Sequence, residues 1–333
     1  MSLVHWKRRE VTPRVSAIDA ADRVDVEIPA ATADRPGAPP IAGPVARGGA
    51  LLRACRPRQW VKNLLVVAAP GAAGVLSHPH VAVEVAGAFI CFCMLSSATY
   101  LINDVHDRHE DALHARRRHR PIARGEVPVG LALAAAALLA AAGLGLGFAI
   151  RPLLGLTGLG YLTLTGAYSL WLRKVAVADI AIVAAGFVLR ALAGGAATGI
   201  PVSRWFVMVT SFGALFVVAG KRYAELRASG QMAAARSTLA AYSQDYLRFV
   251  MMLAASVTTV AYCLWAFEGH GSDGISWYEI TVAPFVLWLL RYGLLLHEGH
   301  GEAPEEVLLQ DRFLIAMSGA WVGVYACAVY VGT

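Results

Sequence analysis

VAVEVAGAFICFCMLSSATYLINDVHDRHED, residues 81–111, runs a mainly apolar segment (81–102) straight into a polar one. The apolar part has the length that spans a bilayer's hydrocarbon core. The polar part spaces Asn103, Asp107 and Asp111 at i, i+4 and i+8, so on a helix they share one face. Asp104 lies beside them. Carboxylates are costly at the end of a spanning segment unless they are matched, and hard oxygen ligands of this kind suit a divalent cation such as Mg²⁺. Six arginines follow between Arg108 and Arg124. Carboxylates for Mg²⁺ beside guanidinium groups for phosphate are the ingredients of pyrophosphate chemistry. A helix end merely solvated by charges would account for one aspartate more easily than for this group.

The rest of the chain has the same character. Of its 333 residues 57% are hydrophobic and only 16% charged, and the mean hydropathy is +0.54. A soluble domain would carry about 25% charged residues. The chain therefore reads as a polytopic membrane protein. The formal net charge of +6 does not point to nucleic acid, because the basic residues lie between apolar blocks, where topology and anionic ligands explain them. Cys55, Cys91, Cys93, Cys263 and Cys327 show no zinc spacing and read as small packing residues without a disulfide framework.

Residues 1–45 are rich in Ala, Pro, Asp and Arg and read as a disordered cytoplasmic tail without a signal peptide's apolar core. Residues 46–333 are expected to form one transmembrane domain that carries the site. Leu51–Lys62 is amphipathic and suited to the membrane interface. Nine spans are expected, near 60–77, 81–102, 128–149, 152–172, 175–198, 202–220, 246–267, 277–296 and 313–331. The first contains Pro70 and Gly71 and is expected to kink. Arginine and lysine crowd the segments 104–127, 173–174 and 221–236, while the intervening loops hold few cations. The positive-inside rule thus places the N-terminus and the acidic cluster in the cytoplasm and the C-terminus outside. This makes an all-α plasma-membrane bundle of nine helices.

Further candidates lie on the same side. Lys221-Arg222-Tyr223-Ala224-Glu225 ends the sixth span, with Lys221 and Glu225 at i, i+4; a salt-bridged helix end explains the pattern equally well. Arg58 and Lys62 enter the first span, where snorkelling at the interface is the plain alternative. Tyr161, Tyr168, Arg173 and Lys174 close the fourth span, and Asp179 and Arg190 lie within the fifth, where charges face a bundle interior or a cavity. His106, His109, His114 and His119 are irregularly spaced and read as solvated or phosphate-contacting. A transporter would set polar groups along several spans to the far face; here charge collects at one rim.

The motif NDxxDxxxD at Asn103–Asp111, RPIARGEV at 120–127, AYSLWLRK at 167–174 and DIAIVAAGFVLRALAGGAATG at 179–199 together resemble the UbiA-type intramembrane prenyltransferase superfamily. The resemblance covers residues 52–333. It implies a helical bundle around a central cavity, open to the cytoplasm and laterally to lipid. A typical member carries a second aspartate-rich motif after the sixth span. This chain has KRYAE at 221–225 instead, and with RPRQWVKN at 56–63 it looks like the decaprenyl-phosphate phosphoribosyltransferase branch.

That branch implies transfer of 5-phosphoribose from phosphoribosyl pyrophosphate to a polyprenyl (decaprenyl) phosphate, for arabinan of the cell wall. It implies Mg²⁺ held by Asn103, Asp107 and Asp111, with Asp104 or Glu225 as further ligands. Asp107, Asp111 and Lys221 are the catalytic candidates. Arg58, Lys62, Arg118, Arg120, Tyr168, Lys174, Lys221 and Arg222 are the substrate-binding candidates, with Lys221 and Arg222 assigned to the 5-phosphate. The acceptor phosphate is already an anion, so no general base is needed. Membrane lipid is the surrounding partner, and a homo-oligomer is a further candidate assembly. The alternative is prenyl transfer from a diphosphate to an aromatic acceptor.

Overall fold

The computed structural model describes residues 44–115, 117–234, 238–268, 276–299, 307 and 309–330. The tail expected over residues 1–45 lies almost wholly outside them. Among the described residues the chain is helical, without strands. Helix α1 (Pro44–Ala54) precedes a 3₁₀ segment (Pro57–Val67) and the short α2 (Ala68–Ala72). Then come α3 (Pro79–His106), α4 (Arg108–Leu113), α5 (Val129–Ile150), α6 (Pro152–Leu170) and α7 (Ala178–Thr198). The chain continues through α8 (Arg204–Ala234), α9 (Gln244–Phe267), α10 (Trp277–Ile280), α11 (Val282–Glu298) and α12 (Arg312–Tyr330).

Helix starts follow the local chemistry. Pro79 and Pro152 begin α3 and α6, where a missing N–H costs nothing. The Ser243 hydroxyl accepts the Tyr246 N–H at the start of α9, a standard N-cap. Seven helices among the described residues are long and apolar enough to cross a membrane. Helix α6, with 19 residues, is not one of the seven; it holds Thr157, Thr163 and Thr165. Each threonine hydroxyl donates to a carbonyl four residues back, at 2.7–2.9 Å, which is how a polar group is satisfied in lipid.

The first expected span departs most from the sequence reading. It is not one kinked α-helix over 60–77, but a 3₁₀ segment followed by one short α-turn. Its interior explains this. Asn63 is fully buried, and its amide donates to Cys93 Sγ (3.3 Å) and Ser96 Oγ (3.2 Å). Its oxygen accepts from Arg190 Nε at 2.8 Å. Opposite Val66, α7 carries Gly194, where an added Cβ would sit 1.8 Å from the Val66 carbonyl oxygen. The segment is stapled to α3 and α7 at close range. At about 2.0 Å rise per residue, its eleven residues cover about 22 Å, more than an α-helix of that length.

The amphipathic segment also stops earlier than expected. Helix α1 ends at Ala54 and the chain turns sharply at Arg56, φ 55° and ψ 61°. Buried apolar residues form four clusters among the described residues, of which two tie the long helices together. One joins the 3₁₀ segment, α3, α6 and α7 through Val66, Phe92, Leu95, Leu154 and Tyr161. The other joins α8, α9, α11 and α12 through Phe216, Ala254, Tyr292, Leu296 and Leu314. Phe313, Ile315 and Val322 of α12 remain exposed, as expected for a lipid-facing side. All five cysteines are free.

Candidate active site

The acidic run lies across the α3–α4 junction. Asp107 sits between the helices at φ −88°, ψ 2°, a bend in the bridge region. The backbone ladder nevertheless continues: the Asp107 N–H donates to the Asn103 carbonyl (2.9 Å) and the Asp111 N–H to the Asp107 carbonyl (2.8 Å). Asn103, Asp107 and Asp111 therefore keep a common helical face through the bend. Sequence spacing predicted the face and not the bend.

Arginines hold these carboxylates. Asp104 is buried and accepts from Arg56 and from Arg120 Nη1, the latter at 3.0 Å. The same Arg120 nitrogen reaches Asp111 Oδ2 at 2.6 Å. Asp111 is fully buried. Among the described residues its Oδ1 has no hydrogen bond, and Arg117 lies 3.7 Å from it. Asp107 takes Arg173 Nη1 at 2.8 Å to each oxygen. Glu110 stands 3.9 Å from the Arg173 guanidinium. Three or more carboxylate, histidine or cysteine groups do not converge into a metal cage among the described residues. Asp104 is taken up by two arginines rather than added to the Asn103–Asp107–Asp111 face.

The basic run ends α8 where the sequence puts it, but its two cations differ. Arg222 is a hub: Nε to Asp179 Oδ2 at 3.1 Å, Nη1 to Glu225 Oε2 at 2.7 Å, Nη2 to the Tyr168 hydroxyl at 3.4 Å. Lys221 makes one long ion pair, 3.9 Å to Glu225 Oε1, with its side chain 42% exposed. Lys221 is thus the cation available to a ligand, and Arg222 the one that holds the fold around it. Glu225 is engaged by both.

Asp179 is buried. Its second oxygen accepts a short bond from the Tyr242 hydroxyl, which in turn accepts the Val177 N–H at 2.6 Å. Val177 has φ +69°, an uncommon state for a β-branched residue. Burial, then the bond to Asp179, pushes the Tyr242 phenol above its usual range, so it stays a proton donor. One residue chain now joins the two runs. The turn between α6 and α7 gives Arg173 to Asp107, and the Thr238 hydroxyl donates to the Arg173 carbonyl at 2.6 Å.

Of the remaining candidates, Tyr168 lies in this network, Arg120 bridges two aspartates, and Lys62 is half-buried. Arg58, Lys174 and Arg118 are exposed at the rim; Arg118 Nε reaches His119 Nε2 at 3.5 Å. Sequence reasoning named Arg173 among its candidates without pairing it to Asp107, and left Arg56, Arg117 and Tyr242 out of the site. For Tyr242 there was no signal, since a tyrosine at a loop end is unremarkable.

Comparison with known proteins gives the following. A model of the UbiA prenyltransferase family matches residues 64–330. The decaprenyl-phosphate phosphoribosyltransferase of Mycolicibacterium smegmatis is 42% identical over 307 residues, which is 88% of this chain and 96% of that one. The Mycobacterium tuberculosis protein of the same name is 42% identical over 287 residues, 85% of this chain and 95% of its own. Among solved structures, a UbiA homolog from Archaeoglobus fulgidus bound to DMAPP and Mg²⁺ superposes with a TM-score of 0.66 at 19% identity, over 84% of this chain and 99% of that one.

Proposed function

The chain belongs to the UbiA prenyltransferase family, and from that premise we propose that it is an integral-membrane decaprenyl-phosphate phosphoribosyltransferase. The observation that carries this is the basic end of α8. Lys221 and Arg222 stand where a purely diphosphate-binding member would gain from more carboxylates, and a second phosphate on the donor needs cations there. The near-full-length likeness to two mycobacterial enzymes of that name supports it.

Mg²⁺ fits the acidic face by donor chemistry. Asn103, Asp107 and Asp111 offer hard oxygens on one face, and Asp111 Oδ1 is a buried acceptor without a hydrogen bond. Mg²⁺ needs only one or two protein carboxylates when substrate phosphates complete its shell. Bound there, it supplies charge neutralisation to the departing pyrophosphate. Asp104 and Glu225, the further candidate ligands, are held by arginine, as Asp107 and Asp111 are.

The residues do the rest by orientation and electrostatics. Lys221 holds the donor's 5-phosphate. Asn103, Asp107 and Asp111 fix the pyrophosphate end, so the ribose C1 lies between the two. The decaprenyl phosphate oxygen forms a bond to C1 from the face opposite the pyrophosphate, and the C1–O bond to pyrophosphate breaks. Arg58, Lys62 and Lys174 are the rim cations available to the acceptor phosphate. The acceptor is an anion from the start, so no residue removes a proton. The cation-rich side faces the cytoplasm, by the positive-inside rule, in a plasma membrane.

The test is direct. Purified protein is given Mg²⁺, phosphoribosyl pyrophosphate and decaprenyl phosphate, and lipid-linked phosphoribose is expected. A parallel reaction holds a prenyl diphosphate and an aromatic acceptor. Product in the second reaction alone would replace this reading with prenyl transfer.

A further inference from the structure

We infer that Arg173 is a latch on the metal-ligating face: it occupies Asp107 when no donor is bound, and passes to the donor's pyrophosphate when the donor enters with its cation. This rests on the function proposed above and deepens it. Three observations carry it. Arg173 Nη1 lies 2.8 Å from both Asp107 oxygens, so the carboxylate that should face the cation is fully engaged. Around the face, Asp104, Asp107, Glu110 and Asp111 are paired with Arg56, Arg117, Arg120 and Arg173, so the paired charges cancel. Asp111 Oδ1, by contrast, is buried without a hydrogen bond among the described residues, and its ion pair to Arg117 is long, at 3.7 Å.

The consequence is a binding order. A bare divalent cation meets a neutralised site, and to reach Asp107 it must expel a guanidinium whose other neighbouring carboxylate among the described residues is the exposed Glu110, 3.9 Å away. A cation arriving on a diphosphate brings the anion that Arg173 needs next. Arg173 is placed to make the exchange, because its backbone carbonyl is pinned by the Thr238 hydroxyl at 2.6 Å while its side chain remains about a quarter exposed, at 27%. Only the side chain has to turn.

Arg120 does not share this role. It bridges Asp104 and Asp111, both buried, and releasing it would leave two buried carboxylates short of a partner.

The experiment reads metal binding, not turnover. Mn²⁺ stands in for Mg²⁺, and free Mn²⁺ is followed by electron paramagnetic resonance with the full chain in nanodiscs. For the wild type, phosphoribosyl pyrophosphate should tighten Mn²⁺ binding by about tenfold or more, a coupling of ordinary size. Arg173→Gln should bind Mn²⁺ without donor about as tightly as the wild type does with it, and lose most of the coupling. Arg173→Lys, which keeps the charge but not the two-oxygen contact, should fall between. Asp107→Asn placed on Arg173→Gln should abolish the gained affinity, which assigns the signal to this face. Equal Mn²⁺ affinity in the wild type and Arg173→Gln without donor, with both variants folded by gel filtration, would overturn the latch. Coupling produced by geranyl diphosphate but not by phosphoribosyl pyrophosphate would uphold the latch and overturn the donor.

Discussion

Lys221 and Arg222 are neighbours with different work, and substitution should separate them. Among the described residues Arg222 is the cation paired with the buried Asp179. Arg222→Ala leaves that carboxylate unpaired, at a cost of about 3–5 kcal/mol, so the thermal midpoint in detergent should drop steeply. Lys221→Ala removes a half-exposed side chain with one 3.9 Å pair. Its midpoint should hardly move, while the KM for phosphoribosyl pyrophosphate rises about tenfold or more and that for decaprenyl phosphate does not. An unchanged donor KM would remove Lys221 from the 5-phosphate. Tyr242→Phe tests the other side of Asp179. It deletes the short bond and strands the Val177 N–H, at about 1–3 kcal/mol, and the expected result is a lower midpoint with donor binding weakened through Arg222. The acidic face was legible in the sequence because i, i+4, i+8 spacing survives the Asp107 bend. The arginine partners were not, because which guanidinium meets which carboxylate depends on how α6 and α7 return to α3.

At the scale of elements, eight of the nine expected spans fall on long helices, and the inner ends of α3 and α8 were placed short. Helix α3 runs four residues past its expected stop and α8 runs fourteen past, because a helix does not end where the apolar run does. The residues of interest, Asn103 and Asp104 on α3 and Lys221 to Glu225 on α8, lie on those continuations. The first span defeated the reading, since its pattern of apolar residues suits an α-helix while its contacts impose 3₁₀ geometry. Gly194 tests this. A methyl group there meets the Val66 carbonyl at 1.8 Å, against backbone that cannot turn aside. Gly194→Ala should cost about 1–3 kcal/mol as overpacking and displace the segment that carries Arg58 and Lys62. Gly145→Ala, with open space around it, should leave the thermal midpoint unchanged. Equal midpoints for the two variants would mean that the segment is not seated against α7 as described.

For the whole molecule, the contacts sort the helix ends into two faces. One face gathers the ends of α3, α6 and α8 and the starts of α7 and α9, through the Asp107–Arg173, Arg222–Asp179 and Tyr242–Val177 contacts. The other gathers the start of α3, the α5–α6 turn, the end of α7, the start of α8 and the end of α9. There Arg151 meets Glu84 and the Ala197 carbonyl, and Arg204 meets Glu268. Helix α6 therefore runs from one face to the other despite its threonines. The late part of α12 belongs with the second face, since the Tyr325 hydroxyl donates to the Ala72 carbonyl at 2.6 Å and α2 follows the 3₁₀ segment away from Arg56. The site and the end of α12 thus lie on opposite faces, and the cation-rich one is expected in the cytoplasm. Phosphoribosyl pyrophosphate carries too much charge to cross a bilayer, so sidedness is measurable. Inverted membrane vesicles should convert externally added donor to lipid-linked phosphoribose, and right-side-out vesicles should do so only after permeabilisation. A reporter fused after Thr333 should be active as an exported phosphatase and dark as a green fluorescent protein. Donor consumption by sealed right-side-out vesicles would turn the molecule over in the membrane without altering a contact within it.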